Sequence, residues 1–103
     1  MEIRSTEADG AARLEVTGEL DIGTGAQLED AVTRALDAGA RDVVVDLGGT
    51  TFLDSSGLGA LIRAARAVDA ARGTMTVVSP PGSEARVVID MSRTGGIVGL
   101  RDP

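Results

Sequence analysis

The least generic stretch of this chain is Thr50-Thr51-Phe52-Leu53-Asp54-Ser55-Ser56-Gly57-Leu58-Gly59. Two hydroxyls follow a carboxylate and precede an apolar run of helical period, so they fall where a helix begins. A helix start exposes unpaired backbone N–H groups and the positive end of the macrodipole. A serine there can cap the helix, and a phosphate carried on it would be tolerated electrostatically. Capping is the commoner use of Asp and Ser before an apolar helix, and spacing alone does not separate the two uses. Gly57 and Gly59 would leave the first turn open to the active site of another protein. An enzymatic use would draw on Asp46, Asp54 and Ser55, and that set contains no imidazole to act as a general base near neutral pH.

Composition narrows the chemistry further. The 103 residues contain no histidine and no cysteine, and all ten basic residues are arginine. Without imidazole or thiol there is no Ser-His-Asp or Cys-His arrangement, and zinc loses both of its preferred ligand types. Without lysine there is no Walker-type phosphate loop and no Schiff base, and the phosphorylated-aspartate receiver domain, which normally uses a lysine, is also set aside. No cofactor or metal site is expected. Sixteen acidic residues against ten basic ones give a net charge of -6, which disfavours a nucleic-acid partner, because such binding rests on cationic patches. No apolar run has the length of a membrane span, and the first residues lead directly into patterned sequence, so no membrane partner and a cytoplasmic location are expected.

These residues need elements to position them. Alternation over Glu2 to Thr6 and Ala12 to Gly18, with Asp9-Gly10 between, predicts an opening β-hairpin. Leu28, Ala31, Val32, Ala35 and Leu36 predict a helix from about Thr24 to Ala38, with Thr24 as N-cap and Gly39 as its stop. The β-branched run Val43-Val44-Val45 predicts a mid-sheet strand buried on both faces. A second helix is predicted from about Ser56 to Ala71, and a strand from Thr74 to Ser79. Ser83 can cap a short helix reaching about Met91, and Ile97-Val98 offers a last strand. The expected fold class is α/β, in the order ββαβαβαβ. An antiparallel hairpin leads into parallel strands joined by right-handed crossovers and covered by helices. Residues 1–103 are expected to form a single domain.

Four motifs fall in order on this pattern: Gly18-Glu19-Leu20-Asp21, Asp46-Leu47, the segment Phe52 to Gly59, and Asp90-Met91-Ser92. Together they resemble the STAS family, specifically the bacterial anti-sigma factor antagonists, over nearly the whole chain. The resemblance implies a partner switch. Unphosphorylated, such a protein binds an anti-sigma factor that is also a serine kinase and so releases a sigma factor. Phosphorylation of one serine ends the binding, and a serine phosphatase resets it. The acceptor maps onto Ser55, with Ser56 as its neighbour and as the expected helix cap. Asp21 would lie in a loop near the acceptor, and Asp21, Asp54, Ser56, Gly57 and Leu58 would form the partner-binding surface, with Asp46 adding to the local negative charge.

Two departures from the family pattern stand out. The chain stops at Arg101-Asp102-Pro103, without the family's closing helix, which would leave one side of the sheet bare or an apolar patch for a partner, such as a second copy of the chain. Pro80 to Ser83 and Arg93 to Gly96 also exceed the family spacing. A different class of function remains open: a STAS module that binds a small ligand, or assembles in a signalling complex, without phosphorylation.

Overall fold

In the computed structural model, which describes residues 1–103, β1 (Glu2–Ala8) and β2 (Ala11–Leu20) are joined by Asp9 at φ 53 and Gly10 at φ 78. Two successive positive φ values make the tight turn whose twist matches an antiparallel pair, and the register runs from Glu2 opposite Thr17 to Ala8 opposite Ala11. The chain continues through α1 (Gly25–Asp37), β3 (Asp42–Leu53), α2 (Ser55–Ala70), β4 (Thr74–Val78), α3 (Glu84–Ser92), α4 (Gly95–Val98) and β5 (Leu100–Arg101). The five strands lie in the order β1-β2-β3-β4-β5, antiparallel at the first pair and parallel thereafter. The mixed α/β architecture expected from the sequence is present, with one extra helical turn before the last strand.

Each crossover steps one strand further in the same direction. Right-handed connections therefore place the helices on one face of the sheet. The burial of β2 follows: Ala12, Leu14 and Val16 are buried, whereas Ala11, Arg13, Glu15 and Thr17 are exposed. The valine run is indeed central, but it is not buried on both faces. Val43 and Val45 are enclosed, and Val44 is only half-buried because it points to the face that no helix covers. That face is not an apolar patch either. It carries Arg13 and Asp46, whose Nη2 and Oδ2 lie 2.5 Å apart, beside Glu15, Thr17 and Thr76, and so is adapted to water without a covering element.

One core cluster fills the helical side, including Leu14, Leu20, Leu28, Val45, Leu61, Val77, Ile89 and Val98. A single phenylalanine, half-exposed at position 52, means that aliphatic interdigitation supplies nearly all of the packing. Helices α1 and α2 pack together, and α3 packs on β3, which β4 accompanies only as far as Asp46. Thr50, buried within β3, donates its hydroxyl to the carbonyl of Val16 at 3.1 Å.

Ile97 and Val98 belong to α4 and not to a strand. Gly99 at φ 75 ends that turn in the left-handed region and turns the chain into β5, where the amide of Val77 donates to its carbonyl at 2.9 Å. A Cβ on Gly99 would overlap the carbonyl of Met75, so glycine is required there twice over. Ser83 caps α3 as expected, accepting from the amide of Arg86 at 3.3 Å. Arg86 then ties the end of the chain to α3. It donates to the carbonyl of Ser79 at 2.9 Å and to Asp102 at 2.7 Å, and pairs with Asp90 at 3.3 Å. The hydrogen bond that Arg86 donates to Asp102 raises the guanidinium pKa from an already high value, against a smaller loss from desolvation. A raised arginine pKa contributes stability that is lost only as pH rises through the raised value, far into the alkaline range, so the guanidinium of this tether stays charged through the neutral range.

Leu61 is fully buried and Ile22 is 85% exposed. Leu61→Ala should therefore lower the unfolding free energy by about 2–5 kcal/mol, and Ile22→Ala should change it by less than about 0.5 kcal/mol. Urea titration of the two variants checks this, and equal losses would contradict the placement of α2.

Candidate functional site

Two chain segments meet at the carboxyl ends of β2 and β3. Leu20 and Leu53 are register partners, and the amide of Asp54 donates to the carbonyl of Leu20 at 3.4 Å. A Cβ on Gly57 would overlap that same carbonyl and crowd Leu53. The first turn of α2 therefore sits directly on the backbone at the end of β2, and glycine is the only residue that fits. Gly25, which opens α1, completes the junction: a Cβ there would lie 3.0 Å from that of Ala60.

Asp54 is the N-cap. Its backbone is extended at φ -109 and ψ -176, and its Oδ1 accepts from the amide of Gly57 at 2.8 Å. The cap expected at Ser56 is thus supplied by Asp54, because a carboxylate two residues earlier is the group in reach of the third helical amide. Ser55 and Ser56 become the first two helical residues, and their own amides have no helical acceptor. Ser55 is exposed and Ser56 half-buried. The Ser55 hydroxyl makes no hydrogen bond within the chain, unlike those of Ser83 and Ser92, which donate to the carbonyls of Pro80 and Ile89.

Asp21 lies in the loop that follows Leu20. Its Oδ1 accepts from the amide of Gly23 at 2.9 Å, and its own amide donates to Thr24 Oγ1 at 2.9 Å. Thr24 occupies the cap position of α1, but its hydroxyl does not cap. It lies 2.8 Å from the carbonyl of Glu19 and 3.1 Å from Asp21 Oδ1, and so is spent on closing the loop. The loop is locked by its own polar groups, and it presents the exposed Ile22 beside the half-buried Asp21.

The structure brings Asp21, Asp54, Ser55 and Ser56 to one end of the sheet. It separates the other expected members. Leu58 is only 8% exposed and belongs to the core cluster, since the first turn points its fourth residue inward. Gly57 is buried and serves close packing, not an open approach. Asp46 stands eight residues before Asp54 on an extended strand, roughly 26 Å away at the usual rise. There it accepts from Arg13 and from the amide of Gly48. The set Asp46, Asp54 and Ser55 is therefore never assembled, and Asp46 adds no charge beside Ser55. Ser92, in the motif Asp90-Met91-Ser92, closes α3 by donating to the carbonyl of Ile89. Ile22, Phe52 and Met91 are exposed apolar side chains; Ile22 falls in none of the four motifs, and Phe52 and Met91 fall in two of them without being singled out as binding residues, since nothing in their spacing separates them from core positions.

Residues 3–100 match the family model described as Mlab, STAS domain, in keeping with a mixed five-stranded sheet that presents a serine at the head of its second helix. An anti-sigma-B factor antagonist of Staphylococcus aureus (strain NCTC 8325 / PS 47) is 33% identical over 105 residues, spanning 99% of this chain and 88% of that one. Among solved structures, the anti-sigma factor antagonist SpoIIAA in its unphosphorylated form superposes with a TM-score of 0.81 at 20% identity, over 99% of this chain and 88% of that one. The Bacillus cell fate determinant SpoIIAA in the phosphorylated form gives 0.74 at 20% identity, over 99% and 91%. The chain belongs to the STAS family, among the anti-sigma factor antagonists. No helix is long and apolar enough to cross a membrane.

Asp54→Ala should remove the cap of α2 and lower stability by about 1 kcal/mol. Ser55→Ala removes an unbonded surface hydroxyl and should leave stability within about 0.5 kcal/mol. Thermal unfolding followed by circular dichroism distinguishes them. A larger loss for Ser55→Ala would show that its hydroxyl, and not the Asp54 carboxylate, holds the helix start.

Proposed function

We propose that this anti-sigma factor antagonist is switched through Ser55. Unphosphorylated, it binds an anti-sigma factor that is also a serine kinase, and the sigma factor is freed. Within that complex the Ser55 Oγ attacks the γ-phosphorus of ATP. The new O–P bond forms as the bond to ADP breaks, and the hydroxyl proton passes to a base of the kinase. The phosphoprotein dissociates, and a serine phosphatase hydrolyses the ester. The observation that carries this reading is the exposed, unbonded hydroxyl of Ser55 on a helix that is already capped by Asp54.

The physical effect of the phosphate is local. It adds about 1.5 to 2 negative charges and three acceptor oxygens beside Asp54 and near the loop of Asp21. An interface shaped around a neutral hydroxyl must then desolvate a dianion, and any carboxylate it presents adds like-charge repulsion. The fold need not change. Asp21 and Ser56 contribute directly to the docking surface, whereas Gly57 and Leu58 support it from within.

Incubation with the cognate kinase and ATP should place one phosphate on the native chain and on Ser56→Ala, and none on Ser55→Ala, as read by intact-protein mass spectrometry. Phosphate on Ser55→Ala would reject the assignment. Ser55→Asp, with one charge where the ester has nearly two, should weaken kinase binding less than phosphorylation does.

A further inference from the structure

Ser55, Gly59 and Arg63 are spaced four residues apart on α2 and so share one face, one turn above another. Arg63 is exposed but not extended. Its guanidinium folds back along the helix over Gly59, with Nη1 3.2 Å from where a Cβ of Gly59 would stand and both Cζ and Nη2 at 3.9 Å. Helical side chains lean toward the N-terminus, and the missing side chain at position 59 lets this one lie flat. The cation thus rests about 6 Å, one helical turn, from the level of Ser55.

Glu29 of α1 fixes that pose. Its two oxygens accept from Arg63 Nε at 3.0 Å and from Nη2 at 3.3 Å. This two-point pairing uses one edge of the planar guanidinium and leaves Nη1, with its two donors, on the side over Gly59. No other arginine is placed in this way. Arg13 is engaged by Asp46 on the far face of the sheet, and Arg86 by Ser79, Asp90 and Asp102.

We propose that Arg63 is an intramolecular receptor for a phosphate on Ser55, with Glu29 as its positioning residue and Gly59 as the gap through which the two groups meet. The proposal rests on the assignment of Ser55 as the phosphorylated residue, and it adds where the phosphate goes. The Nη1 donors take up ester oxygens while Nε and Nη2 stay on Glu29, so the dianion is held against α2 and part of its charge is compensated within the chain. What an approaching partner meets is then a fixed phosphate and guanidinium pair, where the unmodified protein offers a hydroxyl.

The test uses the full chain with phosphoserine installed at position 55 during synthesis, so that it is independent of any kinase. The second ionisation of the phosphate is followed by 31P NMR in the native background, in Arg63→Gln and in Arg63→Lys. A nearby cation favours the dianion, so the native protein should titrate about 0.5 pH unit or more below Arg63→Gln, with Arg63→Lys between them. Asp21, Glu29 and Asp54 are common to all three proteins, so the difference isolates Arg63. A difference smaller than about 0.5 unit would overturn the proposal. If the kinase leaves Ser55 unmodified while this shift is found, the functional assignment fails and the receptor geometry stands.

Discussion

The site depends on one close approach: the first turn of α2 resting on the carbonyl of Leu20. Gly57 permits it, because a Cβ there would occupy the space of that oxygen, and the amide of Asp54 donates to the same carbonyl. With the turn pinned from below, the residue that begins it must point away from the sheet. Ser55 is exposed for that reason, and Leu53 and Leu58 are buried for the complementary one. The same contact carries the loop of Asp21 to the end of the sheet where Ser55 lies, since Leu20 immediately precedes it.

A division of labour between neighbouring residues follows. Asp54 satisfies the amide of Gly57, which leaves both serines free of any structural duty at the helix start. A serine that capped its own helix could be modified only by giving up that hydrogen bond, and phosphorylation would then disturb α2 as well as the surface. Here the proposed modification of Ser55 would alter charge and shape without removing the cap of α2. The chain shares its fold with SpoIIAA structures in the unphosphorylated and the phosphorylated form, with TM-scores of 0.81 and 0.74.

Much of this was legible in the residues themselves. Alternation in β2, helical period in α1 and α2, and turn and stop chemistry at Asp9-Gly10 and Gly39 gave the elements and their order, because each signal is local. The final strand was misplaced because Ile97-Val98 has β-branched character, whereas Gly99 decides the path through a contact with Met75 from a distant strand. The family resemblance places Asp46 and Leu58 with the site. A strand carries eight residues roughly 26 Å, and a helix turns its fourth residue inward, so neither grouping survives in three dimensions. The choice between Asp54 and Ser56 as cap needed the backbone angles, since both residue types do the same chemistry. The pairing of Arg63 with Glu29 joins two helices and leaves no trace in spacing along the chain.

The central claim is that charge on a single hydroxyl separates the bound from the free state. Its most direct measurement is the affinity of the cognate anti-sigma factor for the native chain and for the same chain bearing phosphoserine at position 55, at one salt concentration. Desolvating the dianion at a cost of about 3 kcal/mol predicts affinity weakened by about a hundredfold. Equal affinity for the two forms would contradict the account.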